Sequence, residues 1–276
     1  MEIQKEVKLE KESHVYTDSR GVVYESVTRV IKCFTQEFEA EKISYHVAAK
    51  RDKESMAEAI KRGVSQVTVL NGYPKYNRGI TREDVLLEWK ENSREACDMG
   101  TLVHDGAEKF LLYGIKSGNE YDRYYEWLRK HVSWYKKIYP ECVLYSKKYG
   151  IAGTSDLVCS RTGVGGGIVD IKDYKTNDIS FNSIGEDFYT KQRKHYNRYM
   201  KDPLGHLEEC DYNKYALQLS IYAYMLEEEF GYKIGNLEVV NMKWKSIVKP
   251  STFPITYMKE EVKLILDYWK KNYKNR

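Results

Sequence analysis

Two carboxylate–amine pairs follow each other in the stretch Ile168-Val169-Asp170-Ile171-Lys172-Asp173-Tyr174-Lys175-Thr176-Asn177. Upstream, across a glycine-rich turn at 163–167, stands Gly153-Thr154-Ser155-Asp156. Carboxylates on neighbouring strands can hold a divalent cation through oxygen ligands. A nearby ammonium can then steer a water at a phosphate and offset the charge that develops. Side chains alternate along a strand, so Asp170 with Lys172 and Asp173 with Lys175 point to opposite faces. Val169 and Ile171 share the face of Asp173 and Lys175, which makes that the apolar, helix-covered side. A polar pair at the end of an apolar face has no obvious structural use. Asp173 and Lys175 are therefore the expected chemical pair, and Asp170 with Lys172 the expected surface pair, provided no bulge falls near Asp170.

Two further sets lie on helical patterns. Gly100, His104 and Glu108 are four apart and so share one helix face. A neutral histidine can ligate a metal through one ring nitrogen, and Glu108, one turn on, can accept a hydrogen bond or bind metal through water. Gln218 and Tyr222 have the same spacing, and an amide and a phenol there can orient Lys175 or touch a nucleic-acid backbone. Each residue alone has an ordinary use: a helix-face His or Glu is usually structural or solvated, and Asp156 by itself is also a turn residue. The ordered set carries the signal: His and Glu on a helix, then G-x-x-D, then D-x-K-T, then Q-x-x-x-Y.

The elements that must position these groups are read from periodicity. Residues 7–25 alternate around Asp18-Ser19-Arg20-Gly21 as a β-hairpin, and Ser26 caps a helix with Val27, Val30, Ile31 and Phe34. Charged, helical segments follow over 36–63, then a loop at 67–78 around Asn71-Gly72-Tyr73-Pro74. Thr81 and Asp84 open a long helix that carries the His104 face, with a possible break near Gly100; Gly106 only weakens it and Gly114 ends it. A second helix over 119–138 stops before Pro140. Strands at 141–148, 150–160 and 166–175 form an antiparallel meander. A polar, aromatic segment then runs to about residue 212, followed by a helix over 213–229 ended by Gly231 and Gly235, a strand over 236–245 and a terminal amphipathic helix over 259–273. The polar segment includes the basic stretch with Lys191, Arg193 and Lys194, which can contact phosphates; a solvated surface helix explains it as well.

Composition bounds the classes. At 276 residues with 42% hydrophobic and 31% charged side chains, the chain can fold around its own core without staples. No run approaches the ~18 apolar residues of a membrane span, and the first residues lack an apolar signal core. A cytoplasmic location, with no membrane partner, is the expectation. The net charge of +4 permits a nucleic-acid partner without requiring one. Five cysteines without a C-x-x-C pair imply neither a zinc site nor an iron–sulfur cluster, and favour reduced thiols.

With these motifs in order, the sequence resembles the PD-(D/E)xK nuclease superfamily, in the RecB-type branch that includes phage and mitochondrial exonucleases. The matching residues are Gly100-Thr101-Leu102-Val103-His104 with Glu108, Gly153-Thr154-Ser155-Asp156, Asp173-Tyr174-Lys175-Thr176 and Gln218-Leu219-Ser220-Ile221-Tyr222, covering about residues 85–245. Ser155 stands where the family name has proline. Residues before 80 match only loosely, at Ser26-Val27-Thr28, and Met200 to Leu207 is similar to an insertion of phage-encoded members.

The resemblance implies an α/β fold with a restriction-endonuclease-like core. Its central mixed β-sheet, the three-strand meander plus a further strand, is flanked by helices. Residues 1–80 would form a mainly helical accessory region on a core at 81–276, with the polar insertion at about 177–212. It also implies a metal-dependent deoxyribonuclease, an exonuclease in phage-type recombination, repair or processing. His104, Asp156, Asp173 and the Tyr174 carbonyl would hold one or two Mg²⁺ or Mn²⁺ ions, and Lys175 would position the attacking water. Glu108 would lie one shell out, and Gln218, Tyr222 and Thr176 would support Lys175 and the DNA. Such enzymes act on DNA, at ends, alongside a single-strand-binding or annealing protein, and a phage-encoded one would work in the bacterial cytoplasm. No P-loop occurs, so no ATP is implied. Members include rings and monomers, so the oligomeric state stays open. The rival class is a catalytically inactive nucleic-acid-binding protein on the same fold.

Overall fold

The structure, a computed structural model, describes residues 6–11, 13–48, 80–162, 167–177, 198–242 and 250–273. The basic stretch with Lys191, Arg193 and Lys194, the loop at 67–78 and the turn at 163–166 lie outside those residues. Two compact units are present: Met1–Gln36 with Met99–Arg276, and Glu37–Asp98. In the smaller unit Phe38 meets Trp89 with ring centroids 5.5 Å apart, and Arg82 pairs with Glu41 at 2.8 Å.

The larger unit is built on an eight-stranded sheet with helices on both faces. Its strands are β1 (Val7–Glu10), β2 (Val15–Asp18), β3 (Val23–Ser26), β4 (Lys137–Ser146), β5 (Ile151–Ser160), β6 (Ile168–Lys175), β7 (Lys233–Asn241) and β8 (Ser251–Ile255). The helices are α1 (Val27–Cys33), α2 (Arg82–Tyr113), α3 (Asp122–His131), α4 (Asp211–Glu228) and α5 (Lys259–Asn272). Strand order is β1-β2-β3-β5-β6-β7-β8, with β4 paired to the other edge of β5. Pairs β3/β5 and β6/β7 are parallel and the rest antiparallel, so the sheet is mixed. The α/β class, the β4–β5–β6 meander and the further strand β7 are as expected from the sequence; β8 is an addition.

Local chemistry explains the boundaries. The turn between β2 and β3 is held by Asp18, whose Oδ1 accepts from the amides of Arg20 and Val22 at 2.9 and 3.0 Å, with Gly21 at φ 80°. Ser26 caps α1 by accepting the Arg29 amide at 3.2 Å. Thr81 and Asp84 cap α2 reciprocally, at 2.8 and 3.2 Å. No break occurs at Gly100: α2 runs on to Tyr113, and Gly114 ends it at φ 72°. Gly106 does more than weaken the helix. A Cβ there would lie 2.3 Å from the Tyr125 hydroxyl, so only glycine lets α2 and α3 pack this closely. The expected helix over 119–138 is shorter, because β4 starts at Lys137 and runs through Pro140. Proline is tolerated because β4 is an edge strand, which can spare a ladder donor. Gly235 lies in β7 instead of ending α4, and it leaves room for the Asp170 carboxylate, which a Cβ would meet at 2.1 Å.

Two apolar layers sandwich the sheet. Helices α1, α4 and α5 pack on Val158, Val169, Ile171 and Val239, with Val30, Leu217, Ile221 and Ile265 fully buried. The C-terminal part of α2, with α3, packs on Leu157, Cys159, Tyr174 and Val240 through Val103, Ala107, Tyr125 and Leu128. Burial of each such aliphatic side chain contributes about 1.5–3 kcal/mol. Both faces of β6 are thus covered, which decides the fate of its charged residues.

Candidate metal centre

The centre forms where the sheet forks. The first residues of β5, Ile151 and Ala152, pair with β3, and its last, Leu157 to Ser160, pair with β6. Among the described residues, Gly153 to Asp156 have no strand partner on that side. Alternation also slips here. Gly153 and Val158, five apart, both face the α4 side, as do Tyr139 and Cys142, three apart on β4. Between the latter two sits Glu141, in the left-handed region at φ 47°. Such a break in the ladder re-aims side chains, as a β-bulge does. Glu141 and Asp156, one from each strand, converge on His104 from α2.

His104 Nδ1 lies 3.3 Å from Asp156 Oδ1 and 3.7 Å from Glu141 Oε1. Ligand atoms of the three residues all lie within 4.8 Å of one another. Asp156 Oδ2 accepts the Tyr174 amide, so the carboxylate closes the ladder where the β5–β6 pairing ends. Asp173 is buried and ion-paired with Lys175, whose Nζ sits 4.9 Å from the Tyr215 ring centroid. Gln218 donates to the Tyr222 hydroxyl at 3.2 Å, and the Tyr222 ring lies against Gly153, where a Cβ would meet it at 2.7 Å. Thr176 is half-buried just past β6. Of the residues expected from the sequence, His104 and Asp156 join one cluster, Asp173 and Lys175 form a pair beside it, and Gln218 bonds Tyr222. Glu108 stands apart from the cluster, 3.7 Å from the Lys11 ammonium, which also meets Asp105 at 3.6 Å.

The electrostatics are those of a site short of positive charge. Burial pulls the His104 pKa down, but Asp156 and Glu141 more than compensate and raise it to about 11. Burial pushes Asp173 up to about 6, with Lys175 only partly opposing and the Asp156 charge adding to the rise. Burial likewise raises Glu141, against the pull of His104. Asp156 falls below the usual carboxylate range: burial opposes this, but His104, Lys175 and the Tyr174 amide together prevail. Asp173 Oδ2 is buried against the Lys175 ammonium, and Glu141 Oε1 is buried with no hydrogen bond, 3.7 Å from His104 Nδ1. Buried acceptors are rarely left so. Two carboxylates, an imidazole and this unfilled lone pair fit a divalent cation.

A cavity of about 460 Å³ opens onto the cluster. His104, Glu141 and Asp156 line it, with Gln218 and Tyr222 on one side and Lys11, His14 and Tyr16 of the N-terminal hairpin on another. Asp173 and Lys175 are not among the residues lining it. Sequence reasoning missed Glu141, which sits beside Pro140 with no informative spacing, and the hairpin residues, which precede the stretch that carries the family motifs.

The Asp170–Lys172 pair is not on the surface. Asp170 is 0% and Lys172 1% exposed. Asp170 accepts from Arg161 at 2.7 and 3.1 Å, from the Asn236 amide at 2.7 Å and from the Tyr135 hydroxyl at 2.5 Å. Lys172 pairs with Glu238 and lies 3.4 Å from His131 Nε2. Alternation does place this pair opposite Asp173 and Lys175, but α2 and α3 cover that face too. The register shift between Val169 and Ile171 adds its extra residue to β7, so the alternation of β6 is unchanged.

No family model matches the chain, and no curated protein sequence matches it. Thirteen chains of solved structures do. One of them, a "Putative exonuclease" from Eubacterium rectale, is 12% identical with a TM-score of 0.33, over 64% of this chain and 64% of its own. The chain therefore spans less than two thirds of that neighbour. No helix among the described residues is long and apolar enough to cross a membrane.

Proposed function

We propose that this chain is a divalent-metal-dependent DNA nuclease of the PD-(D/E)xK type, acting as an exonuclease in phage-type recombination, repair or processing. One observation carries the reading. A buried Glu141 oxygen that accepts no hydrogen bond faces the His104–Asp156 contact, with the Asp173–Lys175 ion pair close to Asp156. His104, Glu141 and Asp156 would hold the first ion, and Asp173 with the Tyr174 carbonyl would complete the site. A bound Mg²⁺ or Mn²⁺ lowers the pKa of a coordinated water and neutralises charge on a phosphate. Lys175 stays protonated beside Asp173 and offsets charge on the phosphate oxygens. Gln218 holds the Tyr222 phenol at the cavity wall, where both meet the backbone of the strand being cut. Thr176 and the basic stretch with Lys191, Arg193 and Lys194 would add phosphate contacts.

The test is direct. Purified protein is incubated with linear and circular, single- and double-stranded DNA in Mg²⁺, Mn²⁺ or EDTA. The expected result is metal-dependent loss of linear DNA that Lys175→Ala abolishes. Intact DNA under every condition, with EDTA-insensitive binding, would overturn catalysis in favour of a binding protein on the same fold. Cutting of closed circles would replace exonuclease by endonuclease.

A further inference from the structure

The N-terminal hairpin brings a hydroxyl to the metal-centre cavity that the proposed mechanism does not use. Tyr16 of β2 lines the cavity together with Thr154 of β5, and their hydroxyl oxygens lie 3.1 Å apart. The Tyr16 ring is packed among Val7, Tyr24, Tyr145 and Ala152 and is 5% exposed, so its oxygen has a fixed place. Thr154 stands where β5 has left β3 and has not yet reached β6. It precedes Asp156 by two residues, about 7 Å along a strand. Two hydroxyls carry two protons, and the bond between them uses one. Among the described residues neither hydroxyl bonds another group. One O–H is therefore left to donate to whatever enters the cavity. Burial raises the phenol's pKa against the pull of Thr154, and the Glu141 charge adds to the rise, so Tyr16 keeps its proton at neutral pH.

We infer that Tyr16 and Thr154 form a neutral hydroxyl subsite that holds a phosphate oxygen of the bound DNA strand, one phosphate away from the one being cut. The inference deepens the nuclease reading and rests on it for the identity of the ligand. The cluster of His104, Glu141 and Asp156 presents carboxylates, which suit a cation and repel a phosphate. A phosphodiester oxygen only accepts hydrogen bonds, so beside that cluster it needs a donor not already spent on a carboxylate. The hydroxyl pair supplies one without adding a charge. Because the Tyr16 ring is already held by its neighbours, little side-chain freedom is lost when the strand binds. The offset of Thr154 from Asp156 sets the subsite at a neighbouring phosphate, where it holds the strand and takes no part in bond breaking.

Tyr16→Phe and Thr154→Val each delete a hydroxyl and keep the packed shape. The first readout is the Kd of a fluorescent oligothymidylate for the full chain in EDTA, so that no cutting intrudes. Loss of one hydrogen bond to a charged oxygen is expected to raise Kd about 10- to 100-fold in the stronger of the two variants. The double variant should bind no worse than that, because the pair delivers a single proton. Thr154→Ser keeps a hydroxyl and should restore binding. The second readout separates holding from chemistry: initial rates in Mn²⁺ should show a raised KM with kcat unchanged. Thermal melts establish that the variants fold. An unchanged Kd in both single variants, no binding by the wild type, a Thr154→Ser as weak as Thr154→Val, or a fall in kcat at constant KM would each overturn the subsite. A lowered melting temperature with Kd and KM unchanged would overturn it too, and make the pair an anchor for the hairpin. Cutting in Mn²⁺ with an unchanged Kd leaves the nuclease standing without this subsite. A raised Kd with no cutting by the wild type supports the subsite and overturns the nuclease.

Discussion

Strand β6 carries two Asp-x-Lys pairs three residues apart, and the two are solved in opposite ways. Asp170 is buried among four donated hydrogen bonds, from Arg161 twice, Tyr135 and the Asn236 amide. Lys172 has Glu238. Asp173 is buried to a similar degree, yet among the described residues its carboxylate has one partner, the Lys175 ammonium on Oδ2. A buried charge that is fully paired and hydrogen-bonded fixes local structure; one left short costs stability and is kept where a ligand can supply what is missing. Burial does not separate the two pairs, and neither does residue type. The count of satisfied lone pairs does.

The sharpest way to break that contrast is to exchange the consequences. Lys175→Ala is expected to cut DNA hydrolysis by at least about 10²–10³-fold, the scale of removing one stabilising group at a charged transition state. Asp173→Asn should do the same, measured as initial rates on linear DNA in Mn²⁺. Asp170→Ala should act on folding instead. It strands Arg161 and the Tyr135 hydroxyl and is expected to cost about 3–5 kcal/mol in urea unfolding, while the folded fraction keeps its rate. Asp173→Asn removes one ion partner where Asp170→Ala removes four hydrogen bonds, and should cost less in the same experiment. If Asp173→Asn proves the more destabilising of the two, or Asp170→Ala the more damaging to hydrolysis, the division of roles is wrong.

Much of this was legible in the sequence, and what was not has physical causes. Alternation along β6 correctly puts the two pairs on opposite faces, because the pleat has a fixed period and the register shift falls on β7. It cannot say that both faces are covered. The long apolar stripe of α2, with Val103, Ala107 and Phe110, must bury itself somewhere, and it does so on the Asp170 face together with α3. Glu141 was invisible because its position depends on a left-handed backbone beside a proline in a slipped edge strand, and no periodic pattern encodes that. His104 and Asp156 were legible from their motifs, yet only the fork in the sheet brings them to 3.3 Å. Glu108 shares a helix face with His104, but a full turn of helix carries it to Lys11 and away from the cluster.

The metal should sharpen the contrast from the other side. A ligand that binds only the folded chain stabilises it by about 2.7 kcal/mol at a hundredfold excess over its Kd. Saturating Mn²⁺ is therefore expected to raise the melting temperature of the wild type and of Asp170→Ala alike. Glu141→Gln should lose most of that rise, since an amide replaces a charged ligand. An undiminished rise in Glu141→Gln, read by differential scanning fluorimetry with and without EDTA, would remove Glu141 from the site.

The smallest effect is local, and thiols report it. Cys159 faces Asp170 across the β5–β6 ladder, and Cys142 follows Glu141 on β4. Both are fully buried, and burial pushes each thiol up to about 12. Reaction needs both access and thiolate, so neither is expected to react with a disulfide reagent at pH 8 in the native protein. Asp170→Ala loosens the ladder that Arg161 and Asn236 tie to β6, and Cys159 should then be modified several-fold faster, tracking local opening. Asp173→Asn should leave Cys159 as slow as in the wild type, because its side chain lies on the other face. Mass spectrometry of alkylated peptides separates the two cysteines. Equal acceleration of Cys142 and Cys159 by Asp170→Ala would mean that the whole sheet opens as one unit, and the Asp170 network would then hold the global fold, with no local role at β6.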